Sequence, residues 1–199
     1  PTRPEIMDDP AADPRDIAEA FSFIRWVNRR LGGVAGLLTH LEAMQQQLGR
    51  SIRMLDVGTG CADIPLAALE WAEGRGLSMQ IVGVDLFDAS LDEARRAIAS
   101  HPITRAAHAG ATCSVDGEAA ASERGALDAA RSVPQGSGFH ERSITCPAPI
   151  TLLKASAFEL ESHFAPRSFD VVHAGIFLHH FTDDQVVELL AIMGRLASK

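Results

Sequence analysis

The chain has 199 residues, 46% hydrophobic and 22% charged, with a formal net charge of −8 at pH 7. That length and composition predict one globular domain with a buried core, and the acidic balance argues against a general nucleic-acid binder or a surface drawn to anionic lipid. No apolar run reaches the roughly 18 residues of a membrane span, and Cys61, Cys113 and Cys146, odd in number and without C-x-x-C, point to a reducing cytoplasm and not to a disulfide framework.

Residues 1–14 hold four prolines and four acids and are expected to form a mobile tail. The polar start is unlike a secretory leader, and a first residue other than Met is expected of a processed chain or a piece of a longer one. A helical cap is predicted over 15–49. Its first helix, 15–31, places Ile17, Phe21, Ile24 and Leu31 near one face and Arg25, Arg29 and Arg30 elsewhere. Gly32-Gly33 breaks it, and a second helix over 34–48 carries Leu37, Leu41, Met44 and Leu48 before Gly49 stops it.

From residue 50 the pattern is α/β. An apolar strand at 52–57 runs into Gly58-Thr59-Gly60-Cys61-Ala62-Asp63, and a helix follows over 64–72, with Asp63 expected as its cap. Such a turn gathers backbone N–H groups and a helix start at the strand's C-terminal end, where a polar or anionic ligand group can sit. A second strand, 80–85, is apolar and β-branched, as a strand buried on both faces should be. It ends in Asp85, about 25 residues past the turn, where a carboxylate can accept hydrogen bonds from both hydroxyls of a ribose. The plainer role for Asp85, capping the next helix (89–99), suits Asp88 or Ser90 better.

Residues 103–148, rich in Ala, Gly and Ser, far exceed an ordinary connection and are expected to be a disordered or loosely helical insertion. His101, His108, Cys113, His140 and Cys146 lack the spacing of a zinc site, so no metal is expected. A third strand is predicted at 150–153, followed by Ser156-Ala157-Phe158, and a fourth at 169–174, followed by Leu178-His179-His180-Phe181. Thr182-Asp183-Asp184-Gln185 reads as a capping box opening a last helix with Val186, Leu190, Met193 and Ala197 on its apolar face.

Taken together, Leu55-Asp56-Val57-Gly58-Thr59-Gly60-Cys61-Ala62-Asp63, Val82-Gly83-Val84-Asp85-Leu86 and Ser168-Phe169-Asp170-Val171-Val172-His173-Ala174 resemble the motifs of class I S-adenosylmethionine-dependent methyltransferases. The nearest likeness is to the small-molecule, ubiquinone/menaquinone type. The resemblance covers about 15–100 and 150–197 and implies a Rossmann-like, open, mostly parallel sheet with helices on both faces. It also implies S-adenosylmethionine as cofactor and a phenol- or quinone-like methyl acceptor. By position, Asp56, Gly58 and Gly60, with Thr59 between them, would line the methionine end. Asp85 would hold the ribose, Leu86 would pack on the adenine, Ser156 and Ala157 would sit at the adenine edge, and His173 would lie near the sulfonium. His179 or His180 could act as general base toward the acceptor.

Three departures accompany the resemblance. Ala62 stands where glycine is usual, and Ser156 where an aspartate often binds the adenine amino group. Only four of the family's seven strands can be found, so the chain is expected to be a C-terminally truncated half-domain, a fragment, or one completed by another chain. Its fourth strand would be an exposed edge open to a partner or to self-association. Two other functions compete. A non-catalytic binding module fits the missing strands. A dinucleotide-dependent oxidoreductase fits less well, because Asp63 occupies the position of its third glycine and would repel a pyrophosphate.

Overall fold

The computed structural model describes residues 13–109 and 148–198, with the side chains of residues 14 and 106–109 left aside. Helices α1 (Pro14–Arg30) and α2 (Gly33–Leu48) precede strand β1 (Ser51–Val57), helix α3 (Asp63–Glu73), strand β2 (Ser78–Asp85) and helices α4 (Asp88–Ser100) and α5 (Pro102–Ala109). Strand β3 (Ile150–Lys154), the short helix α6 (Leu160–His163), strand β4 (Val171–His173) and helix α7 (Asp183–Leu196) follow. Helix α5 occupies the start of the stretch expected to be an insertion. Most of that stretch, with Cys113, His140 and Cys146, lies outside the described residues, as does most of the expected tail.

The four strands pair in parallel in the order β3-β2-β1-β4. Alternation along β1 sends Ile52 and Met54 to one face and Leu55 and Val57 to the other. The first face is covered by α2 and α3 through Leu37, Leu41, Leu69 and Trp71. The second is covered by α7 and the segment after β3 through Leu160, Leu189, Ile192 and Leu196. A parallel sheet needs both covers, because its strands bury side chains on both sides.

Four expectations are corrected. Leu31 is 72% exposed and lies just past the end of α1, off its packed face. Arg25, expected elsewhere than the packed face, shares the side of Phe21 and pairs with Glu93 at 2.9 Å. The buried stripe of α7 is Leu189, Ile192, Met193 and Leu196, whereas Leu190 is 49% exposed. Strand β4 is three residues long: Asp170 binds the Arg53 backbone through its main chain and side chain, and Phe169 forms a separate parallel bridge to Ala197. The capping box on α7 forms as read, with Thr182 and Gln185 satisfying each other's backbone.

Candidate functional site

The C-terminal ends of β1, β2 and β4 meet at the glycine turn. Gly58 and Gly60 have φ of +71° and +52°, and Ala62 has φ 58°. A left-handed backbone at position 62 explains why glycine suits it and why alanine is strained there. The N–H groups of Gly58 and Thr59 both donate to the Val84 carbonyl at 2.9 Å, so the turn hangs from the end of β2. The Gly60 N–H donates to Asp85 Oδ2 at 2.9 Å, and the Phe87 N–H donates to Asp85 Oδ1 at 3.1 Å.

Asp85 therefore joins the turn to the start of α4. The capping expected of Asp88 or Ser90 does not form: the cap position of α4 is Phe87, which has no side-chain cap hydrogen bond, and Asp85 holds the Phe87 N–H two residues ahead in an Asx-type turn. Burial pushes its carboxyl above the ordinary range, against the opposing pull of the Phe87 and Gly60 N–H groups. Beside it, Leu86 and Phe87 are exposed at 53% and 37% and form an apolar rim. The Thr59 side chain points the other way. It is buried against Gly83, and its hydroxyl has no partner among the described residues.

Helix α1 closes one side of the turn. Phe21 lies over Gly60, where an added Cβ would come within 3.5 Å of its ring. Asn28 Nδ2 donates to Asp63 Oδ2 at 2.9 Å, and the Cys61 thiol lies 3.6 Å from Asp63 Oδ1. Asp63 is thus not the cap of α3: the cap position is Ala62, which has no side-chain hydrogen bond, and Asp63 instead anchors α1 to the turn. Burial pushes the Cys61 thiol up to about 12, with the Asp63 charge adding to the shift. Sequence reasoning missed Asn28 and Arg25. Their signal was position: both share the α1 face of Phe21.

On the other side, Asp56 and His173 are register partners at the ends of β1 and β4, and Asp56 Oδ1 lies 2.7 Å from His173 Nδ1. Asp56 is buried and His173 is half-buried. Gly58 makes room for Phe177, whose Cδ2 would lie 2.3 Å from a Cβ there. Phe177 stands edge-on to Phe181, 5.0 Å between ring centroids, and 6.2 Å from the His180 ring. His179 lies beside His180 at 4.1 Å, exposed to solvent. Ser156 is spent locally: its hydroxyl accepts the Phe158 N–H at 3.3 Å, opening the 3₁₀ turn that contains buried Ala157.

Gly58, Gly60 and Asp85 are joined through the turn, Asp56 and His173 form a second centre one strand away, and Phe177 links that side to His180. The Thr59 side chain stands apart.

No family model matches the chain, and no curated protein matches it by sequence. It matches a solved structure from Methanococcus maripaludis, described as an S-adenosyl-L-methionine-dependent methyltransferase, over 100% of this chain and 63% of that one, with TM-score 0.53 and 8% identity. The chain has the class I methyltransferase fold. Methyltransferase structures from Archaeoglobus fulgidus and Mesorhizobium loti are also similar. The first has 14% identity and TM-score 0.43 over 88% of this chain and 53% of that one. The second has 21% identity and TM-score 0.42 over 80% and 47%. The chain thus spans about half to five eighths of these methyltransferase structures.

Proposed function

We propose that the chain binds S-adenosylmethionine at the glycine turn and serves methyl transfer to a small phenol- or quinone-like acceptor of the ubiquinone/menaquinone type. The observation that carries this reading is the Asp85 carboxylate, fixed by the Gly60 and Phe87 N–H groups beside the exposed Leu86. These residues fit an adenosyl group. The carboxylate keeps acceptor capacity for ribose hydroxyls beyond its two backbone bonds, and Leu86 offers an apolar surface to a flat base. Asp56, Gly58, Gly60 and His173 would hold the methionine end, with Thr59 only shaping the turn between the glycines and Ser156 and Ala157 at the adenine edge.

Bound there, the cofactor supplies an electrophilic methyl group on a sulfonium. The chain's own residues then align the acceptor and exclude water. His180, half-buried against Phe177, is the better-sheltered candidate to take the acceptor's proton, and His179 lies at the solvent side. His173, held by Asp56, has one ring nitrogen committed and a fixed orientation.

A second reading is a module that binds the cofactor without turnover. It is favoured by the commitment of the Ser156 hydroxyl to the Phe158 N–H, which weakens the adenine edge.

Titration of S-adenosylhomocysteine into the chain and into Asp85→Ala tests the proposal. The expected result is micromolar binding by the wild type and a loss of about 100-fold in the variant, as for a charge-assisted contact worth roughly 2.7 kcal/mol. Absence of binding by the folded wild type would overturn the reading. Binding without turnover on any phenol or quinol would favour the second.

A further inference from the structure

The outward face of α1 has no role in the site. Its inner face is fixed: Phe21 is buried over the turn, Asn28 is tied to Asp63, and Arg25 is tied to Glu93. The face opposite exposes two aromatic rings, Phe23 at 64% and Trp26 at 53%, stacked on each other at 6.1 Å and 18°. Large exposed aromatics on a helix held so firmly cannot turn inward, and a contiguous apolar patch of this kind marks an interaction surface.

The charges around the pair are ordered. Glu19 and Arg30 are exposed and make no ion pair among the described residues. Positions 19, 23, 26 and 30 follow the spacing i, i+4, i+7, i+11, which is one helix seam. The intervals of four, three and four read the same in both directions. An antiparallel copy of the helix, related by a two-fold axis midway between Phe23 and Trp26, therefore sets each Phe23 against the Trp26 of the second copy. The same operation sets each Glu19 against the Arg30 of the second copy, about 8 Å along the helix to either side of the axis.

We infer that this face is a self-association surface: two copies of the chain pair antiparallel through α1, with Phe23 and Trp26 at the centre and reciprocal Glu19–Arg30 pairs at the ends. The charge order favours a second copy over an anionic membrane, because Glu19 and the net charge of −8 both oppose anionic lipid. It also differs from association through the β4 edge, which uses no residue of α1. One helix face makes a contact at the small end of the roughly 1,200–2,000 Å² typical of stable interfaces, so the dimer is weak and concentration-dependent.

Sedimentation velocity of the full chain, from about 10 µM to about 1 mM, tests the inference. The average mass is expected to rise from 21.3 kDa toward twice that value. Glu19→Arg and Arg30→Glu should each weaken association several-fold through like-charge contacts. The double variant, which restores opposite signs across the two-fold axis, should return it near the wild-type level. Phe23→Ser with Trp26→Ser should leave a monomer whose circular dichroism and melting match the wild type. The inference is overturned by any of these results: a monomer throughout, a dimer indifferent to both single reversals, a double variant as weak as the singles, or a monomer that instead co-sediments with phosphatidylserine vesicles.

Discussion

The two rims of the candidate site are built on different principles. The rim at the turn and β2 is made of main-chain groups: Gly58, Thr59 and Gly60 donate their N–H groups to Val84 and Asp85, and the strands beneath are paired along their whole length. The rim at β4 is made of side chains on a three-residue strand and the loop after it, where Phe177, His179, His180 and Phe181 lean on one another. A backbone-built rim is dictated by the local sequence. A side-chain-built rim depends on partners far along the chain, such as Asp56 for His173 and Gly58 for Phe177. The first suits the constant part of a ligand, and the second can vary with what it must accept.

The largest expected effect tests how dry the turn is. The unfolded Cys61 thiol loses its proton near pH 9.0, whereas the folded thiol holds it to about 12. The folded state binds more protons over that interval, so the stability Cys61 contributes is complete below pH 9.0 and is lost as pH rises toward 12. The loss reaches about 4 kcal/mol at most, at 1.36 kcal/mol per unit. Urea melts of wild type and Cys61→Ala should therefore converge as pH rises past 9.0. Parallel pH profiles would show that water reaches the Cys61 thiol.

The next effect compares the two members of the Asp56–His173 pair. The Asp56 side chain is 3% exposed and that of His173 is 19%. His173→Ala strands a buried carboxylate and should cost about 3 kcal/mol. Asp56→Asn keeps an acceptor facing the ring and should cost about 1 kcal/mol. Equal losses in urea unfolding would mean that the pair is not as asymmetric in burial as its geometry implies.

This division between rims is also the division between what was legible in the sequence and what was not. The strand ending at Val57, the glycine turn, the helix after it and the strand ending at Asp85 could be read directly, because period, β-branching and glycine are local signals. The fold class and the parallel pairing followed from that alternation. The use of Asp63 was not legible: a carboxylate at a helix start reads as a cap, and its partner Asn28 lies 35 residues earlier. Sequence sets Arg25 apart from the apolar face of α1, yet Glu93 of α4 draws it to that side. The buried stripe of α7 is not legible either, since Leu189 and Leu190 are equally apolar and only the docked sheet face chooses between them.

Gly58 is where the two rims touch. Gly58→Ala places a Cβ 2.3 Å from the Phe177 ring and forces a left-handed alanine at φ +71°. The expected cost is about 2 kcal/mol, of which roughly half is backbone strain. Phe177→Ala in the same chain should recover the other half, giving a coupling of about 1 kcal/mol in a double-mutant cycle. A coupling near zero would mean that the β4 loop moves away without cost, making that rim more adaptable than its aromatic packing suggests.

The smallest effect belongs to Ser156. Its hydroxyl caps the 3₁₀ turn by accepting the Phe158 N–H, so one of its two acceptor sites is spent and the other would meet an adenine amino group without charge assistance. Aspartate is an equally good cap and has a second oxygen. Ser156→Asp should keep the turn while adding a charge-assisted acceptor, and S-adenosylhomocysteine should bind about three- to tenfold tighter by calorimetry, a gain of roughly 1 kcal/mol. The charge has a cost beside buried Ala157, so the gain should be smaller than the loss from Asp85→Ala. Unchanged affinity with an unchanged melting temperature would place the adenine away from Ser156 and leave Leu86 as its remaining contact on this rim.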